Sequence, residues 1–235
     1  MPELIPPTWR SDEPRPLRAD ARGNRRKLLD AARDVFIERG PGAPLEEIAR
    51  QAGTGIATLY RRFPGRAALM RAVVVDAIER STQEARRAAE EEADAFRALA
   101  RYMHRAIDLR SAAVIPVLLA AVAFDDAEIA RARDAGPGTI EALVDAAKSA
   151  GALRPDVTAG DIGLLIVRLS RPLPGGFTRE TNNSLSHRHL DVVLDGLSAA
   201  TRQPAPLVGP AMTFEHLREF PLTPPSSPRI RGEDN

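Results

Sequence analysis

The chain has 235 residues, no cysteine, 43% hydrophobic and 28% charged residues, and a net charge of +1. That length can bury the core of one or two domains, and the balance is that of a globular protein rather than a disordered one. Without cysteine there are no disulfides, thiolate metal sites or cysteine nucleophiles.

The charge is unevenly placed. Between Arg15 and Arg66 twelve basic residues stand against six acidic ones, so the rest of the chain is net negative. A basic N-terminal third on an acidic body points to an anionic partner for that third, although a solvated helix face would look the same. The opening "MPELIPPTWRSDEPRP" has no apolar core of the kind a secretory signal needs. The longest uncharged apolar run, residues 111–124, falls short of the roughly 20 residues of a membrane span and reads as a buried helix. A cytoplasmic location with no membrane partner is expected.

In chain order, residues 1–20 hold five prolines and read as a flexible arm. From Arg25 onward, Leu28, Leu29, Ala32, Val35 and Phe36 recur at helical spacing. Gly40 stops that helix, and Pro44 can open the next one. Leu45, Ile48, Ala49 and Ala52 form a second short stripe, with Glu46 and Glu47 near the positive helix start. Gly53 ends it. A third helix has to begin at about Gly55–Ile56 and stop before Pro64. Three short helices, the last two joined by a glycine-containing turn, make a helix-turn-helix over about residues 44–63.

A long helix follows from Arg66 to about Glu92, apolar at first and then charged, as if it left a core and ran through solvent. Phe96, Leu99, Ala100, Met103 and Ile107 mark another. The 111–124 run is apolar on all sides and should be enclosed, with Pro116 marking a kink or a start. "GTIEALVDAAKSAGAL" and "TAGDIGLLIVRLSRPL" give two more helices. "RPLPGGFTRETNNSLS" reads as a loop by composition, and "HRHLDVVLDGLSAA" as a last core helix. Residues 203–235 carry seven more prolines and read as a disordered tail. No segment alternates with strand period, so the fold expected is all-α. The divisions are an arm at 1–20, a helix-turn-helix domain at 21–66, a larger helical domain at 67–202 and the tail.

In a helix-turn-helix the second helix enters the major groove. In "TGIATLYRRF", Leu59 and Phe63 lie four apart and can anchor inward. Ile56, Ala57, Thr58, Tyr60 and Arg61 are left on the outer side or its flanks. Ala57 lets the backbone approach a duplex. Thr58 offers a methyl to thymine and a hydroxyl to phosphate or base. Tyr60 can donate to phosphate, and Arg61 or Arg62 can bind phosphate or a guanine edge. Taken alone, these residues fit an ordinary surface helix equally well.

The whole span "RRKLLDAARDVFIERGPGAPLEEIARQAGTGIATLYRRFPGRAALM", residues 25–70, resembles the DNA-binding domain of the tetracycline-repressor (TetR/AcrR) family. "AARDVFIERG" resembles that family's first helix and its stop, "LEEIARQAG" its second, "TGIATLYRRF" its recognition helix, and "PGRAALM" the opening of its fourth. The chain departs from the pattern at Thr54 and Gly55, where the family commonly has an apolar residue and then Ser. The helix cap there lacks a side-chain oxygen, so the phosphate contact that Ser often makes in the family would be absent or come from Thr54.

The resemblance implies a ligand-responsive regulator, chiefly a repressor, that binds a palindromic double-stranded operator as a homodimer. It places DNA contacts at Thr54, Gly55, Ile56, Ala57, Thr58, Tyr60, Arg61 and Arg62, and phosphate contacts at Arg25, Arg26 and Arg66. The larger helical domain would bind a small-molecule effector and dimerise through its last two long helices. Candidate pocket residues are Phe96, Tyr102, Met103, Ile107, Leu118, Val122 and Phe124, with His104 and Arg168 as polar partners. Candidate dimer helices span about 159–172 and 187–200, with Ile162, Leu165, Ile166, Leu169, Leu190, Val193, Leu194 and Leu197. All of these also read as plain core. No cofactor and no metal are expected, since His187 and His189 lie two apart and face different ways on a helix. A DNA-binding or interaction protein without an effector stays open as an alternative. A helical enzyme stays open too, though no phosphate loop or metal motif supports it.

Overall fold

The computed structural model describes residues 15–121, 126–173 and 177–199. Among these residues the secondary structure is helical apart from one isolated bridge, Leu153 to Ser198. The N-terminal helices are α1 (Arg15–Arg39), α2 (Leu45–Gln51), α3 (Ile56–Arg62) and α4 (Arg66–Glu91). The body adds α5 (Ala95–Leu109), α6 (Ser111–Leu119), α7 (Ala127–Ala135), α8 (Pro137–Ser149), α9 (Ala159–Leu169) and α10 (Arg179–Leu197).

Three boundaries differ from the sequence expectation. The α1 helix starts at Arg15, so residues 15–20 are helical backbone rather than part of the arm. The α7 helix went unforeseen because it buries only Ile129 and shows no apolar stripe. Residues 179–186, read as loop, form the first turns of α10. Their Thr, Asn and Ser favour turns in isolation, but here they are tied down. Thr178 caps the helix by accepting from the Thr181 N–H at 3.1 Å. Asn182 accepts from the Leu173 N–H at 2.8 Å and donates to the Phe177 and Thr178 carbonyls. The proposed tail at 203–235, the arm up to residue 14, Val122 and Phe124 lie outside the described residues.

Two hydrophobic cores share one helix. The first unites α1, α2 and α3 with Leu69–Ala77 of α4, and it also takes in Val114, Leu118 and Leu119 of α6 and Ile129 of α7. The second joins Ala85 and Ala88 of α4 to α5, α8, α9 and α10. The α4 helix is therefore the beam common to both, and α6 is a body helix whose inner face belongs to the core of the head. Pro116 sits inside α6, where it removes one helical hydrogen bond.

Charges fasten the head to the body. Asp34 of α1 accepts from Arg110 at 3.0 Å and from Arg179 of α10 at 2.7 Å. Arg110 joins α5 to α6 in a left-handed conformation, φ 53°, which costs a non-glycine residue about 1–2 kcal/mol; its pair with Asp34 offsets that strain. Buried Arg33 pairs with Asp30, one turn earlier on α1, and with Asp76, and Arg80 of α4 reaches the same two carboxylates. No described helix is long and apolar enough to cross a membrane.

Candidate nucleic-acid interface and the pocket behind it

The two short helices are set by glycines and small anchors. Leu45, Ile48 and Ala49 bury α2 against α1. Gly53 then turns the chain at φ +66°, its N–H donating to the Arg50 carbonyl at 3.1 Å while Thr54 N–H reaches the Ala49 carbonyl at 2.9 Å. A side chain at residue 53 would strain that left-handed turn. Gly55 caps α3 with its carbonyl alone, accepting from the Thr58 N–H at 2.9 Å. Leu59 and Phe63 are buried as expected.

Ile56 is half-buried and packs on the first core, a third anchor rather than an outward reader. What remains open is Gly55, Ala57, Tyr60, Arg61 and Arg62, with Thr58 half-buried. Tyr60, at 49% exposed, is one of the few large apolar side chains left in solvent. Thr54, by contrast, buries its Oγ1 with no hydrogen-bond partner. Its hydroxyl faces into the protein, away from a role on a ligand in solvent.

Basic residues gather at the same end. The Arg25 guanidinium lies over the Phe63 ring, 5.5 Å from its centroid, a cation–π contact that ties α1 to the end of α3. Arg26, Lys27, Arg61 and Arg62 are exposed and carry no ion pair among the described residues. Four of the head's carboxylates are spent elsewhere: Asp30 and Asp34 as above, Glu38 beside Arg110, and Glu47 on Arg39 at 2.9 Å. Pairing thus leaves the α1–α3 end with a local excess of positive charge. Arg66 is placed differently from expectation. Its Nη1 donates to the Pro41 and Ala43 carbonyls at 2.8 and 2.5 Å, clasping the loop that leads into α2.

Behind the head, a pocket of about 210 Å³ opens where the two cores meet. Ile78, Ser81 and Thr82 supply it from the middle of α4, and Ser111, Ala112, Ile115 and Pro116 from α6. Tyr102 and Ala106 come from α5, Arg133 from α7, Ile140 from α8, and Leu164, Ile166 and Val167 from α9. The Tyr102 hydroxyl is bonded to Ser81 at 3.0 Å. Its burial drives the phenol pKa up to about 12, against a small opposing pull from the Ser81 hydrogen bond. Ser111 is 2% exposed, and its Oγ has no hydrogen-bond partner. Gly136 is needed here, since a Cβ would come within 2.9 Å of the Thr82 hydroxyl.

Of the expected pocket residues, Tyr102 lines this cavity. Met103 and Leu118 are buried in the cores. Ile107 borders a separate polar cleft of about 580 Å³ between the head and the start of α10. Phe96 is half-buried at the edge of the second core. His104 faces α10 instead of a ligand: its Nδ1 meets the His187 Nδ1 at 2.7 Å with the rings stacked. Asp191 lies 3.2 Å from His104 Nε2 and Asp108 2.9 Å from His187 Nε2. One ring must donate and the other accept across that short contact. Nothing in the sequence signals a pairing between residues 83 apart. Arg168 is exposed. Among the described residues no cluster of three or more His, Asp or Glu could hold a metal.

The expected dimer residues split into two sets. Ile162, Ile166, Leu190, Leu194 and Leu197 are buried within the chain's own second core. Leu165, Leu169 and Val193 are half-buried, and beside them Val192 is 67% exposed.

Comparison with known proteins agrees with this architecture. Residues 28–73 match the model of bacterial regulatory proteins of the tetR family, and residues 94–199 match the SbtR-like transcriptional regulator C-terminal domain. The crystal structure of the TetR transcriptional regulator SCO0520 from Streptomyces coelicolor is 34% identical, with a TM-score of 0.57 over 74% of this chain and 98% of that one. A TetR regulatory protein from Mycobacterium vanbaalenii is also 34% identical, with a TM-score of 0.56 over 78% and 99%. LfrR from Mycobacterium smegmatis, solved in complex with proflavine, is 26% identical, with a TM-score of 0.55 over 73% and 96%. The HTH-type regulator TtgW of Pseudomonas putida is 39% identical over 57 residues, which are 24% of this chain and 42% of that protein. Regulators of this kind are DNA-binding transcription factors, not enzymes. Matches to both of its domains, and to full-length structures of the same build, make this chain a member of the TetR family of transcriptional regulators.

Proposed function

We propose that the protein is a ligand-responsive repressor, working in the cytoplasm, that holds a palindromic operator as a homodimer. The observation that carries this reading is the position of the pocket. It lies against the middle of α4 and the start of α6, and both helices also build the core of the head. A molecule that prefers one setting of these helices changes the operator affinity by its differential affinity for the two settings. The proflavine complex of LfrR supports a small-molecule response in a relative of the same build.

In this reading Ala57, Thr58, Tyr60 and Arg61 face the base edges. Arg25, Arg26, Lys27 and Arg62 neutralise phosphates, and Arg66 holds the loop before α2. Two heads must sit about one duplex turn apart, roughly 34–36 Å, to reach successive major grooves. The half-buried and exposed apolar side chains of α9 and α10, Leu165, Leu169, Val192 and Val193, form the dimer face. The test is selection of bound sites from random DNA, with sedimentation of the complex. Enrichment of an inverted repeat bound by two chains supports the reading. A direct repeat, or a lone half-site bound by one chain, overturns it.

A further inference from the structure

We infer that the effector is a small, uncharged, one- or two-ring molecule carrying a single oxygen function that meets Ser111. This rests on the proposed role of the pocket as the effector site and names the chemistry that fits it. Size comes first. An apolar cavity of about 150 Å³ takes benzene, and this one measures about 210 Å³, room for one or two rings. Charge comes next. None of the described lining residues is Asp or Glu, and the one charged side chain in the wall is Arg133. An organic cation entering would lose its hydration with no carboxylate to replace it and an arginine beside it, a cost that hydrophobic contact does not offset.

The polar groups decide the rest. Tyr102 and Ser81 are bonded to each other, and Thr82 donates to the Ile78 carbonyl. Ser111 is the exception: its hydroxyl is more than nine-tenths buried, lines the pocket and has no partner. A buried hydroxyl without a partner is costly, and a ligand oxygen placed there removes that cost on binding. Tyr102 adds a neutral hydroxyl to the lining, and Arg133 already interacts within the protein, so the pocket offers hydroxyls rather than free charge.

The experiment titrates four two-ring probes into the full chain: 2-naphthol, naphthalene, 2-naphthoate and the cation N-methylquinolinium. Direct binding is followed by calorimetry, and operator affinity separately by anisotropy. The inference expects 2-naphthol to bind most tightly. It also expects Ser111→Ala to weaken 2-naphthol about five-fold, the worth of one hydrogen bond, and to leave naphthalene unchanged. The naphthalene arm shows that the variant pocket is intact. Tighter binding of N-methylquinolinium or 2-naphthoate, no binding of 2-naphthol, or equal 2-naphthol affinity in Ser111→Ala overturns the inference. The two readings fail separately. If 2-naphthol binds as expected while operator affinity stays fixed, the coupling in the proposed function fails and the pocket chemistry stands. If a charged probe is the one that releases DNA, the reverse holds.

Discussion

Tyr60 and Arg61 owe their exposure to their neighbours. Ile56, Leu59 and Phe63 hold α3 against the head, so the residues between them have nowhere to pack. Replacing Tyr60 or Arg61 by Ala removes no core contact, and each change is expected to weaken operator binding by about ten-fold. Anisotropy reads the loss, while thermal unfolding and sedimentation should match wild type. Tyr102 is the opposite case. Its folded pKa, raised to about 12, lies above the unfolded value near 10. The folded state therefore holds its proton longer, so this stability is present below pH 10 and is lost as pH rises toward 12. Denaturant unfolding of wild type against Tyr102→Phe should show a difference that shrinks by about 2–3 kcal/mol across that window. A parallel pair of curves would mean that Tyr102 is not buried as described. Periodicity in the sequence identified the anchors Leu59 and Phe63. It could not reveal Ser111's unpaired hydroxyl, the clasp of Arg66 on two carbonyls, or the His104–His187 contact. Each of these depends on groups brought together from distant parts of the chain.

The sequence was legible wherever an element ends on its own chemistry. Gly40, Gly53 and Pro64 punctuate α1 to α3, and the apolar stripes between them are short and regular, so the ends of these helices could be read to within a residue or two, while the start of α1 at Arg15 could not. The start of α10 was not legible, because it is held by Asn182 and Thr178 against a strong local preference for turns. The α7 helix was missed because its one buried residue leaves no period to detect. In α9 the signal is again local. Thr158 and Asp161 form a capping box, the Asp161 N–H donating to the Thr158 hydroxyl at 3.2 Å and the Thr158 N–H to the Asp161 carboxylate at 2.8 Å. Thr158→Ala should cost about 1 kcal/mol in urea unfolding while leaving operator affinity per folded molecule unchanged, because the helix it caps packs in the second core rather than the core of the head. Between α1 and the body, Asp34→Ala breaks two ion pairs at once. It should alter how strongly an effector changes operator affinity more than it alters affinity without effector.

At the scale of the whole molecule, charge and coupling are the two claims. Arg25, Arg26, Lys27 and Arg62 are held at one end of the head, while Asp30, Asp34, Glu38 and Glu47 are paired with other cations. Operator affinity should therefore fall steeply with salt, and Arg26→Ala should reduce the log–log slope by about 2 per dimer; an unchanged slope would remove Arg26 from the phosphate contacts. Coupling depends on α4 serving both cores and α6 packing into the core of the head, with the pocket lined by both, an arrangement that no stretch of sequence displays, because it is a property of which helices share a core. It can be tested without knowing the effector. Ala112 lines the pocket from α6, and Ala112→Phe fills that space with a tethered ring. The decisive measurement is the operator affinity of this variant by anisotropy, with helicity and sedimentation checked against wild type. The account predicts a folded dimer that binds its operator at least ten-fold more weakly, whereas a folded dimer with wild-type affinity would contradict it.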